Sequence, residues 1–122
     1  MVGPEKIQER SFRFACRIVK LHQHLYKTDE SARILGKQLL RSGTSIGANL
    51  EEAEAGQSRA DFISKCVIAL KEARETHYWL RLLGETNLVS VDKIAPITQE
   101  SKEIVAILTI IVKNSRNNMA EA

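Results

Sequence analysis

The sequence predicts an all-α protein, a single domain over residues 1–122 folded as an antiparallel up-and-down four-helix bundle. Three observations favour this fold. Apolar residues recur at intervals of three and four along most of the chain, only 5% of the residues are aromatic, and only two are prolines. The connections between the predicted helices are also short, so neighbouring helices must alternate in direction. The predicted helices cover residues 5–26, 30–55, 59–83 and 91–114.

The first predicted helix has an apolar seam on one face and a row of cations on another. The seam steps by four and three residues from Ile7 to Leu25, with Ser11 as its polar member. The other row has helical spacing and no acidic residue: Arg10, Arg13, Arg17, Lys20 and His24. Such a row is either a solvated face or a surface for phosphate groups or an acidic partner. The candidate nucleic-acid-binding residues, here called the basic ridge, are Lys6, Arg10, Arg13, Arg17 and Lys20.

The second predicted helix, capped by Thr28 or Asp29, is unusually rich in small residues and has apolar stripes on two sides. One stripe runs from Leu35 to Ala53 and the other from Gly36 to Leu50. A glycine inside a helix costs about 1 kcal/mol relative to alanine, so several glycines indicate close contact with a neighbouring helix. A flexible loop at residues 43–47 is the alternative.

The third and fourth predicted helices have the clearest heptad patterns. Ser58 is expected to cap the third helix, whose apolar stripe runs from Phe62 to Leu83, and Gly84 is expected to end it. Ser90 is expected to cap the fourth helix, which continues to about residue 114. The tail over residues 115–122 is polar and rich in small residues, so we expect it to be frayed or disordered.

The composition is typical of a folded protein, with 43% hydrophobic and 27% charged residues. The net charge of +3 is unevenly distributed: residues 1–28 contain six Lys or Arg against two acidic residues, whereas residues 29–57 contain three against five. Cys16 and Cys66 both lie on apolar stripes, which favours reduced core residues over a disulfide. With no signal-peptide pattern and no apolar run of about 20 residues, we expect a cytoplasmic protein without a membrane segment.

No pattern typical of an active site or cofactor site is present. His22 and His24 point to different faces of a helix, and no Glu-x-x-His pair of the kind that binds two irons occurs. Ser42 and Ser45 lack a base at a suitable spacing, and no glycine-rich phosphate loop is found. We therefore expect no enzymatic activity, no metal and no cofactor.

Several segments resemble the bacterial four-helix bundle family, also called the S23 family or the 23S rRNA intervening-sequence proteins. The similarity extends over about residues 5–115. The segments that carry it are RSGTSIGAN at 41–49, EEA at 51–53, DF at 61–62, IALKEA at 68–73 and ETHYWL at 75–80.

The resemblance implies a small bacterial protein that assembles with itself into a homopentameric ring. The family is related to the accessory variability proteins of diversity-generating retroelements, which form homopentameric rings and bind nucleic acid and a reverse transcriptase. By this resemblance, one stripe of the second helix would pack inside the bundle and the other against a neighbouring subunit, where its glutamates would meet basic residues. The candidate interface residues are Arg41, Ser45, Glu51 and Glu52.

Two functions remain open at this point. The first is a homo-oligomeric protein that binds nucleic acid, RNA rather than DNA, through phosphate contacts of the basic ridge. No base specificity is expected, since few aromatic residues are available for stacking. The second is a scaffold that docks an acidic protein partner on the same ridge.

Overall fold

The computed structural model describes residues 5–121, with side chains through Met119, and consists of four helices. The first four residues and Ala122, which the predicted domain includes, lie outside the described residues. The described chain contains no strand, so the predicted all-α four-helix fold is confirmed. The helices are α1 (Ile7–Tyr26), α2 (Glu30–Glu54), α3 (Arg59–Glu85) and α4 (Val91–Glu121).

Neighbouring helices run in opposite directions around one apolar core. The α1–α2 pair is in contact at Ile18 with Gly43 and, further along, at Leu25 with Gly36. α2 also packs along α3, and α3 along α4, whereas α1 and α4 approach each other over a much shorter length. The largest fully buried side chains are Phe14, Ile18, Leu25, Leu39, Ile46, Leu50, Leu80, Leu83, Ile104 and Leu108.

The small residues of α2 bring its backbone close to α1. A Cβ atom placed on Gly43 would lie 2.9 Å from both Cγ atoms of Ile18, and one on Gly36 would lie 3.3 Å from Leu25 Cβ. The helix is continuous through this segment, so the alternative of a flexible loop at residues 43–47 is wrong. On the other side of α2, the buried hydroxyl of Ser42 lies 2.9 Å from that of Thr76 in α3. Most members of both stripes are buried within one chain, so neither stripe requires a neighbouring subunit for its burial, and packing of α2 against a second subunit stays a prediction.

Two helices begin at the residues that the sequence predicts, whereas α3 does not end at the predicted residue. The Asp29 carboxylate accepts a hydrogen bond from the Ala32 amide at 2.8 Å, and the Ser58 hydroxyl accepts one from the Asp61 amide at 3.1 Å. Gly84, however, lies inside α3, which continues to Glu85. A Cβ atom placed on Gly84 would lie 3.1 Å from Ile94, so the missing side chain leaves room for Ile94 of α4. The left-handed residue after the helix is Asn87, with φ of 60°.

The predicted disorder over residues 115–122 is wrong for the part that the structure describes. α4 continues to Glu121, which places its last turns beside the start of α3. Ser115 is buried in this arrangement. The contact with α3 compensates for the weak apolar pattern of this segment, since tertiary packing contributes most of the stability of a helix.

The two cysteines are in different environments, and both are free thiols. Cys66 is buried as predicted, and desolvation raises the pKa of its thiol. Cys16 is exposed, so its predicted place in the core is wrong. None of the four described helices is both long enough and apolar enough to cross a membrane.

Candidate nucleic-acid interface

The basic ridge lies on the part of α1 that faces away from α2. Lys6 precedes the helix, and Arg13, Arg17 and Lys20 are exposed on successive turns. The buried side of the same helix is the apolar seam, which includes Phe14, Ile18 and Leu25. The 3.6-residue period therefore separates the cations from the core, as the sequence predicts.

Arg10 differs from the other members of the ridge because it bridges α1 and α4. Its guanidinium forms ion pairs with Glu100 and, at 2.9 Å, with Glu103. The hydrogen bond to Glu100 is the main cause of a raised pKa for Arg10, and Arg10 in turn lowers the pKa of Glu103. These ion pairs join α1 to α4, which contact each other less than any other neighbouring pair of helices. Arg10 therefore links α1 to α4, and two carboxylates of the same chain already occupy its guanidinium.

Arg13 also has a carboxylate partner, although a weaker one. The Arg13 guanidinium forms an ion pair with Glu5, which lies just before the helix. The hydrogen bond that Arg13 donates in this pair is the main cause of its raised pKa. The Arg13 side chain remains 66% exposed. Because exposed ion pairs are weak and screened by salt, a phosphate group can replace Glu5. Arg17 and Lys20 form no ion pair with the side chains of residues 5–119.

The four candidate interface residues of α2 are engaged mainly within their own chain. Arg41 forms ion pairs with Glu72 and Glu75 of α3. The Ser45 hydroxyl donates to the Arg41 carbonyl at 2.6 Å.

The two glutamates in this set differ from each other. Glu52 pairs with Lys65 of α3 at 2.6 Å, so a cation of its own chain balances it. Glu51 is exposed and has no ion pair among the described residues. An intermolecular role for this set remains a prediction.

An exposed apolar stripe on α1 was missed. Its members are Phe12, Cys16, Val19 and Tyr26, which follow four-three spacing along the outer surface beside α2. Phe12 is 61% exposed and Tyr26 is 60% exposed. The expectation that exposed aromatic residues are nearly absent is therefore wrong. The spacing was visible in the sequence, but the same helix offers a second apolar seam, and the pattern alone does not say which one faces the core.

Polar groups inside the bundle are few and mostly paired. His77 Nδ1 lies 2.8 Å from the Ser101 hydroxyl, which itself donates to the Thr98 carbonyl at 2.7 Å. Burial is the main cause of a lowered pKa for His77, followed by the charges of Arg81 and Lys102. Trp79 Nε1 and the Ser11 hydroxyl are buried and have no hydrogen-bond partner in the described part of the chain. No group of three or more potential metal ligands occurs in the described part of the chain.

Comparisons with known proteins give the family but no activity. A crystal structure at 1.70 Å of a protein of unknown function from the S23 ribosomal protein family of Bacteroides thetaiotaomicron VPI-5482 is similar, with a TM-score of 0.82. It is 47% identical in sequence, and the match covers 88% of this chain and 99% of that chain. No curated protein matches. The profile of the family described as 23S rRNA-intervening sequence protein matches residues 5–110, and the chain therefore belongs to that family.

Proposed function

We propose that this protein is a homo-oligomer that binds RNA through phosphate contacts of the basic ridge. The observation that carries the proposal is the pair Arg17 and Lys20, two exposed cations one turn apart that have no carboxylate partner among the side chains of residues 5–119. Arg13 and Lys6 extend the same surface. Arg10 contributes to the positive potential but not to direct contacts, since Glu100 and Glu103 occupy its guanidinium.

Self-association would make a weak contact of this kind useful. The exposed stripe of Phe12, Cys16, Val19 and Tyr26 has the four-three spacing with which helices pack against each other. Five copies of a +3 chain would carry a charge of +15. Several ridges on one particle would raise the affinity well above that of one chain, because each further contact becomes intramolecular.

Charge reversal on the ridge tests this proposal. In the variant Arg17→Glu/Lys20→Glu, we expect the affinity for a single-stranded RNA to fall by about tenfold or more at low salt. The slope of log K against log salt should also decrease in magnitude by about 0.7 for each lost phosphate contact. Fluorescence anisotropy across salt concentrations measures both quantities.

A matched control separates the ridge from the overall charge. Lys113→Glu/Arg116→Glu on α4 changes the net charge by the same amount, and both residues are exposed. RNA binding by this control should stay closer to that of the wild type than to that of the ridge variant. Unchanged affinity and salt slope in Arg17→Glu/Lys20→Glu would remove the ridge from the proposal.

Docking of an acidic protein on the same ridge is the second candidate. It is favoured by one observation, namely that Arg10 and Arg13 already bind carboxylates within the chain. If this function is the correct one, RNA of random sequence should bind only weakly, and the salt slope should not differ between the two charge-reversal variants.

A further inference from the structure

Two adjoining depressions on the outer surface of the α3–α4 pair share lining residues and together form what is here called the α3–α4 groove, with an apolar end and a basic end. The apolar end has a volume of about 680 Å³ and the basic end about 480 Å³, and both are lined by Val67 and Arg116. Ile63, Ile68 and Met119 line the apolar end. The last turns of α4, which the sequence did not predict as helix, complete this wall.

Four cations surround the basic end, and no carboxylate among the side chains of residues 5–119 lines either end. Lys71 and Arg74 come from α3, and Lys113 and Arg116 come from α4. All four are exposed, and none forms an ion pair with a side chain of residues 5–119. This concentration of unpaired positive charge beside an apolar floor favours a partner that is both acidic and apolar.

The dimensions of the groove fit a helix. Along α3 it extends from Ala60 to Arg74, which corresponds to about 21 Å at 1.5 Å per residue, or about four turns. No aromatic side chain lines it, so the bases of a nucleic acid would find no stacking surface there.

A second copy of the described chain is a poor occupant of the groove. The glutamates at the end of its α2, which include Glu51 and Glu52, are adjacent in sequence to Leu50 and Ala53. Both of these apolar residues are buried in the core. These glutamates therefore offer carboxylates without exposed apolar anchors.

We propose that the α3–α4 groove docks an acidic amphipathic helix of a partner protein. Apolar anchors of that helix would fill the end lined by Ile63, Ile68 and Met119, and its carboxylates would pair with the cations of α3 and α4. The site lies on helices other than α1 and stands independently of RNA binding by the basic ridge.

The test uses the full chain and a fluorescein-labelled helical peptide of about 18 residues, with leucines at i, i+3, i+4 and i+7 flanked by glutamates. A peptide of the same composition, scrambled so that the leucines no longer share a face, is the control ligand. We expect saturable binding of the first peptide, weakened by about tenfold or more in Lys113→Glu/Arg116→Glu. The ridge variant Arg17→Glu/Lys20→Glu, with the same change in charge, should bind the peptide like the wild type.

A second pair of variants tests the apolar end without changing the charge. Ile68→Gln should weaken peptide binding several-fold, because Ile68 lines the groove and is 38% exposed. Ile110→Gln is the matched control, since Ile110 is an exposed residue of α4 that does not line the groove. It should leave peptide binding unchanged.

Several results would overturn this proposal while leaving RNA binding by the ridge intact. They are no saturable binding up to about 1 mM peptide, equal binding of the scrambled peptide, or equal affinities for the wild type and Lys113→Glu/Arg116→Glu. A loss of RNA affinity in the groove variant alone would assign the groove to nucleic acid. A lower native mass of that variant would assign it to a second copy of the chain.

Discussion

Gly43 shows how a single residue sets the spacing between two helices. A side chain at this position would meet Ile18 at 2.9 Å, and Ile18 is fully buried and branched at Cβ, so it has little room to move. We expect Gly43→Ala to lower the free energy of unfolding by about 1–2 kcal/mol, since overpacking outweighs the gain in helix propensity. Urea denaturation followed by circular dichroism measures this quantity.

Gly47→Ala is the control for this prediction. Its Cβ would lie 3.5 Å or more from the nearest atoms of Ser11 and Phe12, which is ordinary van der Waals contact. The same substitution should therefore leave the free energy of unfolding unchanged or raise it by up to about 1 kcal/mol. Equal effects of the two substitutions would contradict a role for close packing at Gly43.

His77 makes stability depend on pH. Its pKa is lowered in the folded protein, first by burial and then by Arg81 and Lys102, so the unfolded chain takes up a proton at higher pH than the folded chain. The free energy of unfolding should be at its full value above the unfolded pKa of about 6.5 and should decrease as the pH falls from there towards the folded value. His77→Gln should remove this decrease, as measured by isothermal denaturation from about pH 8 to pH 5.

Two comparisons isolate this effect. His24→Gln changes an exposed histidine and should retain the pH dependence of the wild type. Glu103, whose pKa is lowered by Arg10, adds a separate loss of stability that begins only below about pH 4.3, where free glutamate takes up a proton. If His77→Gln loses stability between pH 6.5 and pH 5 as the wild type does, burial of His77 is not the cause of the pH dependence.

At the scale of the helix, periodicity predicted the existence of each element better than its end. The starts of α2 and α3 were predictable because Asp29 and Ser58 cap them through contacts only three residues apart. The ends of α3 and α4 were not, because they depend on other helices. Gly84 is needed for contact with Ile94 and not for a left-handed turn, and the last turns of α4 are held by packing beside α3.

For the candidate site on α1, the sequence likewise predicted which residues share a face but not what each face contacts. Spacing correctly separated its buried seam from the basic ridge. Spacing could not show that Arg10 pairs with Glu100, a residue 90 positions away, because that contact depends on how α4 is placed. It also could not decide between the seam through Ile18, which is buried, and the stripe through Val19 and Cys16, which is exposed. The sequence therefore predicted a ridge of five cations, and among the side chains of residues 5–119 only Arg10 of that ridge pairs with carboxylates of α4.

At the scale of the whole molecule, the described surface includes two cationic regions on different helices. The ridge lies on α1, whereas the groove lies between α3 and α4 and has an apolar floor. The apolar stripe through Phe12 and Tyr26 lies beside the ridge on α1. An assembly that buries this stripe would bring several ridges together, which connects self-association to RNA binding.

The native mass tests this connection most directly. Light scattering on the purified protein, after nuclease treatment and a high-salt wash, should give a mass near five times that of the 13.7 kDa chain. Val19→Glu should lower that mass, since it places a charge in the middle of the exposed stripe. A wild-type mass equal to that of one chain would contradict self-association, and with it the proposal that several ridges act together on RNA.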